Sequence, residues 1–344
     1  MTTFKLFTEV LPFYQALETA VAQAQRTIHM AYFAFDQGEW AQRIGAALRS
    51  RAAAGVTVSL MVDEAGQLLD NPRNGWRNRQ LMAALQAGGV KVILFHPQGQ
   101  RLGYFNRLHC KFCAIDGRIA FIGGSNIGDH YLQWRDSNLQ ITGELGDGLV
   151  QLHQLLSRFG GKPLPESARP SRFQVAGIPL LLTLPGHRQD IRRALLDMIL
   201  EAETAVSLRS WYFLPDREIM NALLSQAERG VRVTILFSHR TRVPPIDWLN
   251  RWLTRDLLRA GVRIYRYVGR YMHAKEAWND RGHILIGSAN IDRWAMCSTF
   301  ECSLHIKDQV LAQQLAHALH ADTHCCVAQA ANESAPEAEC TSGY

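Results

Sequence analysis

Two segments of this chain set a histidine and a lysine one residue apart: LHCKFCAIDGRIAFIGGSN around His109 and Lys111, and MHAKEAWNDRGHILIGSAN around His273 and Lys275. Both read H-x-K-x4-D-x6-G-[GS]-x-N, and the second, in the other half of the chain, repeats the spacing of the first without change. Alternation along a strand puts His109 and Lys111 on one face, with Cys110 and Phe112 on the other. Asp116-Gly117 is a hairpin signal that returns the chain into RIAFI. The Gly-Gly-Ser-Asn segment then leads toward a helix expected from Ile127. Its backbone N–H groups and the Asn126 amide would face the same anion as Lys111.

Two imidazoles, two ammonium groups and two amides, one of each per half, suit phosphodiester chemistry without a metal. One imidazole attacks phosphorus, and the other protonates an alkoxide too basic to leave unaided. Lys111, Lys275, Asn126 and Asn290 would hold the oxygens on which charge accumulates. The intermediate would be a phosphohistidine, resolved by an alcohol or by water. An attacking histidine needs its other ring nitrogen held by an acceptor. Asp136 follows His109 at nearly the same remove as Glu301 follows His273, and these two are the candidate orienting carboxylates by analogy of position. Asp116 and Asp280 enter the catalytic set with their motif; the competing reading is that they fix the turn or a buried ion pair.

The elements that position these groups are also written twice. TIHMAYFAFDQ, a helical run from Trp40 to Ala54, GVTVSLMVDEAG and LQAGGVKVILFH are matched in order. Their counterparts are TAVSLRSWYFLPDR, a run from Ile219 to Arg229, GVRVTILFSHR and LLRAGVRIYRYV. Gly55 and Gly230 introduce β-branched strands after helix ends. Strands alternating with amphipathic helices predict α/β layers with right-handed crossovers, each half a mostly parallel mixed sheet. The boundaries expected are an N-terminal domain over 1–160, a polar, proline-rich linker over 161–171, a C-terminal domain over 172–327 and a disordered tail over 328–344.

Composition narrows the setting. The 344 residues are 47% hydrophobic and 20% charged, as in a globular protein of two ordinary domains. The longest apolar run, Ile178 to Leu184, is too short to span a bilayer and carries Pro179 and Thr183. The N-terminus has no signal-peptide pattern, and seven cysteines without regular spacing do not form a disulfide framework. The expectation is a cytoplasmic chain. Its net charge of +6 points to an anionic partner, nucleic acid or acidic lipid.

The duplicated motif resembles the signature of the phospholipase D superfamily, and the resemblance covers nearly the whole chain. It implies two pseudo-symmetric α/β/α phospholipase D-like halves with one active site between them, a covalent histidine intermediate, and no cofactor or metal. It usually gives the nucleophile to the N-terminal half, hence His109 as nucleophile and His273 as general acid/base. Within the superfamily, WRDSNLQITG, YFLPD, GSANIDRWAM and Phe300-Glu301 are similar to bacterial cardiolipin synthases, which move a phosphatidyl group onto the glycerol of phosphatidylglycerol. The resemblance is to the shorter subgroup without N-terminal transmembrane helices. It implies a phospholipid substrate, an anionic membrane surface at the inner face of the cell membrane, and no nucleic acid. Glu276-Ala277-Trp278 departs from the aliphatic residues commoner after the second lysine.

Other features have two readings each. PPIDWLNRWLTRDLLRAG, residues 244–261, places Leu249, Trp252, Leu253 and Leu257 on one helical face beside Arg251, Arg255 and Arg259. It suits a bilayer surface or a helix packed on its own sheet. Cys110 and Cys113 read as strand filling. His317, His320, His324, Cys325 and Cys326 read as decoration of a final helix rather than metal ligands. Hydrolysis of phospholipid, nuclease action and silent binding of anionic lipid are the rival functions. The sequence lacks the basic residues interleaved with aromatics that a nuclease groove uses.

Overall fold

The computed structural model describes residues 2–96, 106–159 and 173–329; the expected linker over 161–171 lies outside them. In the first half, β1 (Thr3–Glu9), α1 (Val10–Gln23), β2 (Thr27–Tyr32), α2 (Glu39–Ala53) and β3 (Thr57–Asp63) lead to short α3 (Gly66–Leu69) and α4 (Gly75–Ala87). Then come β4 (Lys91–Phe95), β5 (Phe112–Ile115), β6 (Ile119–Gly123), β7 (Arg135–Thr142) and α5 (Gly148–Phe159). These strands form a seven-stranded sheet in the order β1-β7-β6-β5-β2-β3-β4.

The second half opens with β8 (Gln174–Val175), β9 (Ile178–Leu184), β10 (Arg188–Gln189), α6 (Asp190–Leu200), β11 (Ala205–Ser210) and β12 (Phe213–Leu214). It continues through α7 (Arg217–Glu228), β13 (Arg232–Ser238), α8 (Pro244–Leu253), α9 (Arg255–Arg259), β14 (Arg263–Tyr267), β15 (Glu276–Asn279) and β16 (His283–Gly287). It closes with β17 (Ile291–Asp292), α10 (Arg293–Cys297), β18 (Glu301–Lys307), α11 (Gln309–Thr323) and β19 (Cys326–Ala328). Its main sheet runs β10-β9-β18-β16-β15-β11-β13-β14-β19.

The two sheets share one plan. β2-β3-β4 and β11-β13-β14 pair parallel through helical crossovers, whereas the motif strands pair antiparallel. The expectation of mostly parallel sheets therefore holds only for those three-stranded blocks. A two-residue turn such as Asp116-Gly117 (φ 55° and 69°) can join only antiparallel strands. Ala328, expected at the start of a disordered tail, instead pairs with Tyr265 on the sheet edge.

Local sequence accounts for the frame. α7 starts at Asp216, whose carboxylate accepts from Glu218 N–H and Ile219 N–H, and α11 starts at Asp308, which accepts from Leu311 N–H. Gly55 and Gly230 end their helices at φ 88° and 82°, a conformation that costs a side-chain-bearing residue about 1 kcal/mol. One core cluster takes Leu108, Phe112, Leu139 and Leu152 from the first half and Leu182, Met272, Ile286 and Leu304 from the second. The seam between halves is thus core, and burying one such leucine contributes about 1.5–3 kcal/mol.

A buried ionic network crosses the same seam. Arg135 of β7 donates through Nε and Nη2 to Asp322 of α11, each at 2.8 Å. Asp322 is shared with Arg209 of β11, whose other Nη pairs with Glu276. Arg209 is fully buried, so its charge needs both carboxylates. That requirement explains the acidic residue after Lys275: Glu276 is the counter-ion of Arg209.

Candidate active site

The stretches that carry the histidines run alongside the opposite half before reaching their own sheet. Leu108 bridges Phe300 and Arg135 bridges Met272, both in parallel. His109 N–H donates to Phe300 O at 2.9 Å, and His273 N–H donates to Arg135 O at 2.7 Å. Each histidine therefore lies beside the residue that begins the other half's β18 or β7.

The carboxylates are consequently exchanged. His109 Nδ1 lies 2.8 Å from Glu301 Oε1, and His273 Nδ1 lies 2.7 Å from Asp136 Oδ2. A carboxylate only accepts, so Nδ1–H donates in both rings and Nε2 keeps its lone pair in the neutral form. Their matching positions after the two motifs identified both carboxylates without saying that each serves the histidine of the other half.

Neighbours fix the carboxylates in turn. Glu301 accepts from Ser288 Oγ at 2.5 Å and Thr299 Oγ1 at 2.9 Å, and Asp136 accepts from Ser137 N–H at 2.8 Å. The motif's Gly/Ser alternative has a physical reason. A Cβ on Gly124 would collide with Asp136 Oδ1, whereas the equivalent Ser288 supplies a hydroxyl to Glu301.

Aromatic walls close the site. Trp134 and Trp211 stand 4.9 and 5.1 Å from the His273 ring, edge to face, and Phe33 stands 5.6 Å from His109. The His273 side chain is 3% exposed and that of His109 18%. Pattern reading assigned none of these aromatics to the site. The signal present was Trp134 directly before Arg135-Asp136, but bulky apolar residues at strand ends are too common to read as site walls.

Charge in the site is balanced and poised. Burial depresses the pKa of Lys111 to about 8, opposed by Glu301 and Asp136. Burial depresses Lys275 to about 7, opposed by Asp136 and reinforced by Lys111. Each ammonium donates to the carbonyl of its own histidine, at 2.8 Å for Lys111 and 2.5 Å for Lys275. Burial lowers His109 against the pull of Glu301, and lowers His273 well below the usual histidine range, reinforced by Lys275, Lys111 and His109. Burial raises Asp136 to about 6. The site without a substrate anion thus favours two neutral imidazoles.

The two motif aspartates stand elsewhere, and of the two motif asparagines one is partly engaged. Asp116 accepts from the N–H groups of Gln25, Arg26 and Thr27 at 2.8 Å each, and Asp280 accepts from Glu203 N–H, Thr204 N–H and Thr204 Oγ1. Both sit past the far ends of β5 and β15, so the structure removes them from the catalytic set and gives them the turn. Asn126 accepts from Ala34 N–H at 3.2 Å and donates to Tyr131 Oη at 3.1 Å, so part of its amide is committed to the frame. Asn290 is buried, and its Oδ1 has no partner among the described residues. The helix expected from Ile127 is a short 3₁₀ stretch, Asp129–Gln133, whose Asp129 accepts from Glu39 N–H and Trp40 N–H at the start of α2.

Two similar α/β lobes, each lending a histidine to one buried centre and a carboxylate to the other's histidine, define a duplicated phospholipase D-like enzyme. The family described as "Cardiolipin synthase, PLD-like domain" matches residues 17–154 and 195–323, and the chain belongs to it as a phosphatidyltransferase of that superfamily. The chain is 30% identical to cardiolipin synthase 1 of Staphylococcus epidermidis over 338 residues, covering 92% of this chain and 67% of that protein. It is 26% identical to a cardiolipin synthase of Clostridium perfringens over 344 residues, covering 93% of this chain and 70% of the other. The fold matches the crystal structure of phosphatidylserine synthase from Haemophilus influenzae with a TM-score of 0.78 at 16% identity, over 95% of this chain and 87% of that one.

Proposed function

We propose that the chain moves a phosphatidyl group from one phosphatidylglycerol to the glycerol of another, forming cardiolipin and releasing glycerol. His109 Nε2 attacks phosphorus as the P–O bond to the departing glycerol breaks, and His273, which takes up a proton at Nε2 when the substrate anion enters, delivers that proton to the leaving oxygen. The acceptor hydroxyl then attacks phosphorus, its proton passes to His273, and the P–N bond to His109 breaks. Lys111 and Lys275 stabilise the phosphoryl oxygens, with Asn290 and the remaining donor of Asn126 beside them. The observation that carries this reading is the exchanged pair of histidine–carboxylate contacts. It fixes Nδ1–H in both rings and turns each Nε2 to the chemistry, as the attacking lone pair of His109 and as the atom of His273 that gives and takes the proton. The wider exposure of His109 supports its role as the group that meets incoming substrate.

A surface for lipid supports the same reading. Among the described residues no helix is long and apolar enough to cross a membrane. Leu68, Leu69 and Trp76 on the segment after β3, and Val243, Trp248 and Trp252 after β13, are exposed at corresponding places in the two halves. Arg242 ties these segments by donating to Asp70 O at 2.8 Å. α8 ends at Leu253, and Leu257 of α9 turns inward, so the outward face is Trp248 and Trp252 rather than the longer stripe expected. Exposed Trp beside arginine suits peripheral attachment to an anionic bilayer.

The test is product analysis. Purified protein, phosphatidylglycerol vesicles and a chelator should yield glycerol and a four-chain lipid in equal amounts. Phosphatidic acid as the sole product would make the chain a hydrolase, and comparable cleavage of single-stranded DNA would make it a nuclease.

A further inference from the structure

Against Trp134 lies a concavity of about 470 Å³, lined also by His239, Arg240, Tyr267, Arg270 and Tyr271 among others. Trp134 is the shared wall: its ring stands 4.9 Å from His273 and 5.2 Å from Tyr271. The segments after β13 and β14 build this concavity, and Gln133 and Trp134 of the first half complete it.

Its charge is one-sided. Among the described residues, exposed Arg240 has no ion-pair partner, and buried His239 Nδ1 has no hydrogen-bond partner. Burial lowers the pKa of His239, and Arg266, Arg251 and Arg240 push it in the same direction; the opposing carboxylate is Asp247. Both Asp247 oxygens already accept from Thr241 N–H, at 2.9 and 3.0 Å. Arg270 is neutralised by Glu9 through two contacts of 2.7 Å, which also fix the cavity wall to the first half. What remains is an uncompensated cationic pocket with aromatic sides and an orphaned ring nitrogen.

We propose that this cavity holds the phosphate of the acceptor lipid, with Arg240 as its cationic contact. The inference rests on the transferase reading above. An acceptor phosphatidylglycerol carries its reacting hydroxyl and its own phosphate on one three-carbon glycerol. When His273 takes the hydroxyl proton, that phosphate must lie within a headgroup's length of the ring. The cavity is one indole away. Water and simple alcohols have no such phosphate and would gain nothing from the pocket, so the site favours lipid transfer over hydrolysis.

The experiment compares acceptors in wild type and Arg240→Gln, an exposed position whose replacement leaves the core untouched. Phosphatidylglycerol vesicles supply the donor; the competing acceptors are phosphatidylglycerol itself, soluble glycerol 3-phosphate, and ethanol. The ratio of four-chain lipid to phosphatidylethanol should fall about tenfold in the variant, the worth of one charge-assisted hydrogen bond. A parallel fall for glycerol 3-phosphate assigns the pocket to phosphate as such, and a fall confined to the lipid assigns it to the membrane-borne headgroup. An unchanged ratio for both overturns the proposal. Wild-type protein that makes phosphatidylethanol but no four-chain lipid removes the cardiolipin reading, a failure visible without the variant.

Discussion

Asp136→Asn offers the sharpest test of the exchanged carboxylates. Asp136 Oδ1 is held by Ser137 N–H at 2.8 Å, so an asparagine keeps its oxygen there and turns its NH2 toward His273 Nδ1. The ring must then accept at Nδ1 and carry its proton on Nε2, where it can no longer serve as base. The same change in a serine-protease triad costs about 10⁴ in kcat, and a loss of about 10³–10⁴ is expected here. The loss is confined to steps that need His273. With a phosphatidyl ester of an acidic phenol, the leaving group departs without a proton, so the first step survives. Rapid mixing should show a burst of about one phenol per enzyme, followed by slow turnover, with the phosphatidyl adduct on the peptide containing His109. Glu301→Gln disables His109 instead and should give no burst. A burst in Glu301→Gln and none in Asp136→Asn would refute the assignment, as would a burst in both.

Four further outcomes follow from the geometry. Asp116→Ala removes an acceptor from three N–H groups and should destabilise the fold by about 1–3 kcal/mol in urea unfolding, with kcat of the folded protein retained; a loss of kcat without a loss of stability would return Asp116 to the chemistry. Arg209→Met strands Glu276 and leaves Asp322 only Arg135, so unfolding should be easier by about 3–5 kcal/mol, and pairing it with Glu276→Met should recover part of that. The pKa values of Lys275 and Lys111 are depressed to about 7 and about 8, and a bound anion favours their charged forms. Tungstate binding at pH 8 should therefore take up protons, and affinity should fall as pH rises through that range; calorimetry in two buffers of different ionisation heat would expose the opposite sign. Trp248→Ser with Trp252→Ser should weaken sedimentation with phosphatidylglycerol vesicles while leaving hydrolysis of a soluble phosphodiester intact.

The motif and its duplication were open to reading because their signals are local. Asp116-Gly117 demanded a tight turn and helix-ending glycines marked each crossover, whereas His109 and Lys111, expected on a strand face, lie on the irregular stretch just before β5. The exchange of carboxylates left no such trace. It arises because Leu108 bridges Phe300 and Arg135 bridges Met272, contacts between opposite halves of the chain that no spacing within one half encodes. Antiparallel pairing of the motif strands was implicit in the turn but was outweighed by the helix–strand alternation. Glu276 looked anomalous in the second motif because its reason, Arg209, lies on a neighbouring strand. The reading of Asp116 and Asp280 depended on where three N–H groups happened to be, and only a fold could say.

Each lobe, cut free at the connecting segment, would carry a histidine without its acceptor and an acidic side chain with nothing to orient. A single copy would accordingly be inert until two met face to face. One polypeptide that carries both makes that encounter permanent and leaves the two copies free to differ. Gly124 and Ser288, Asp136 and Glu301, and the lone Glu276 are where the two copies differ. Separately expressed lobes should therefore be silent alone and regain turnover only as a one-to-one mixture.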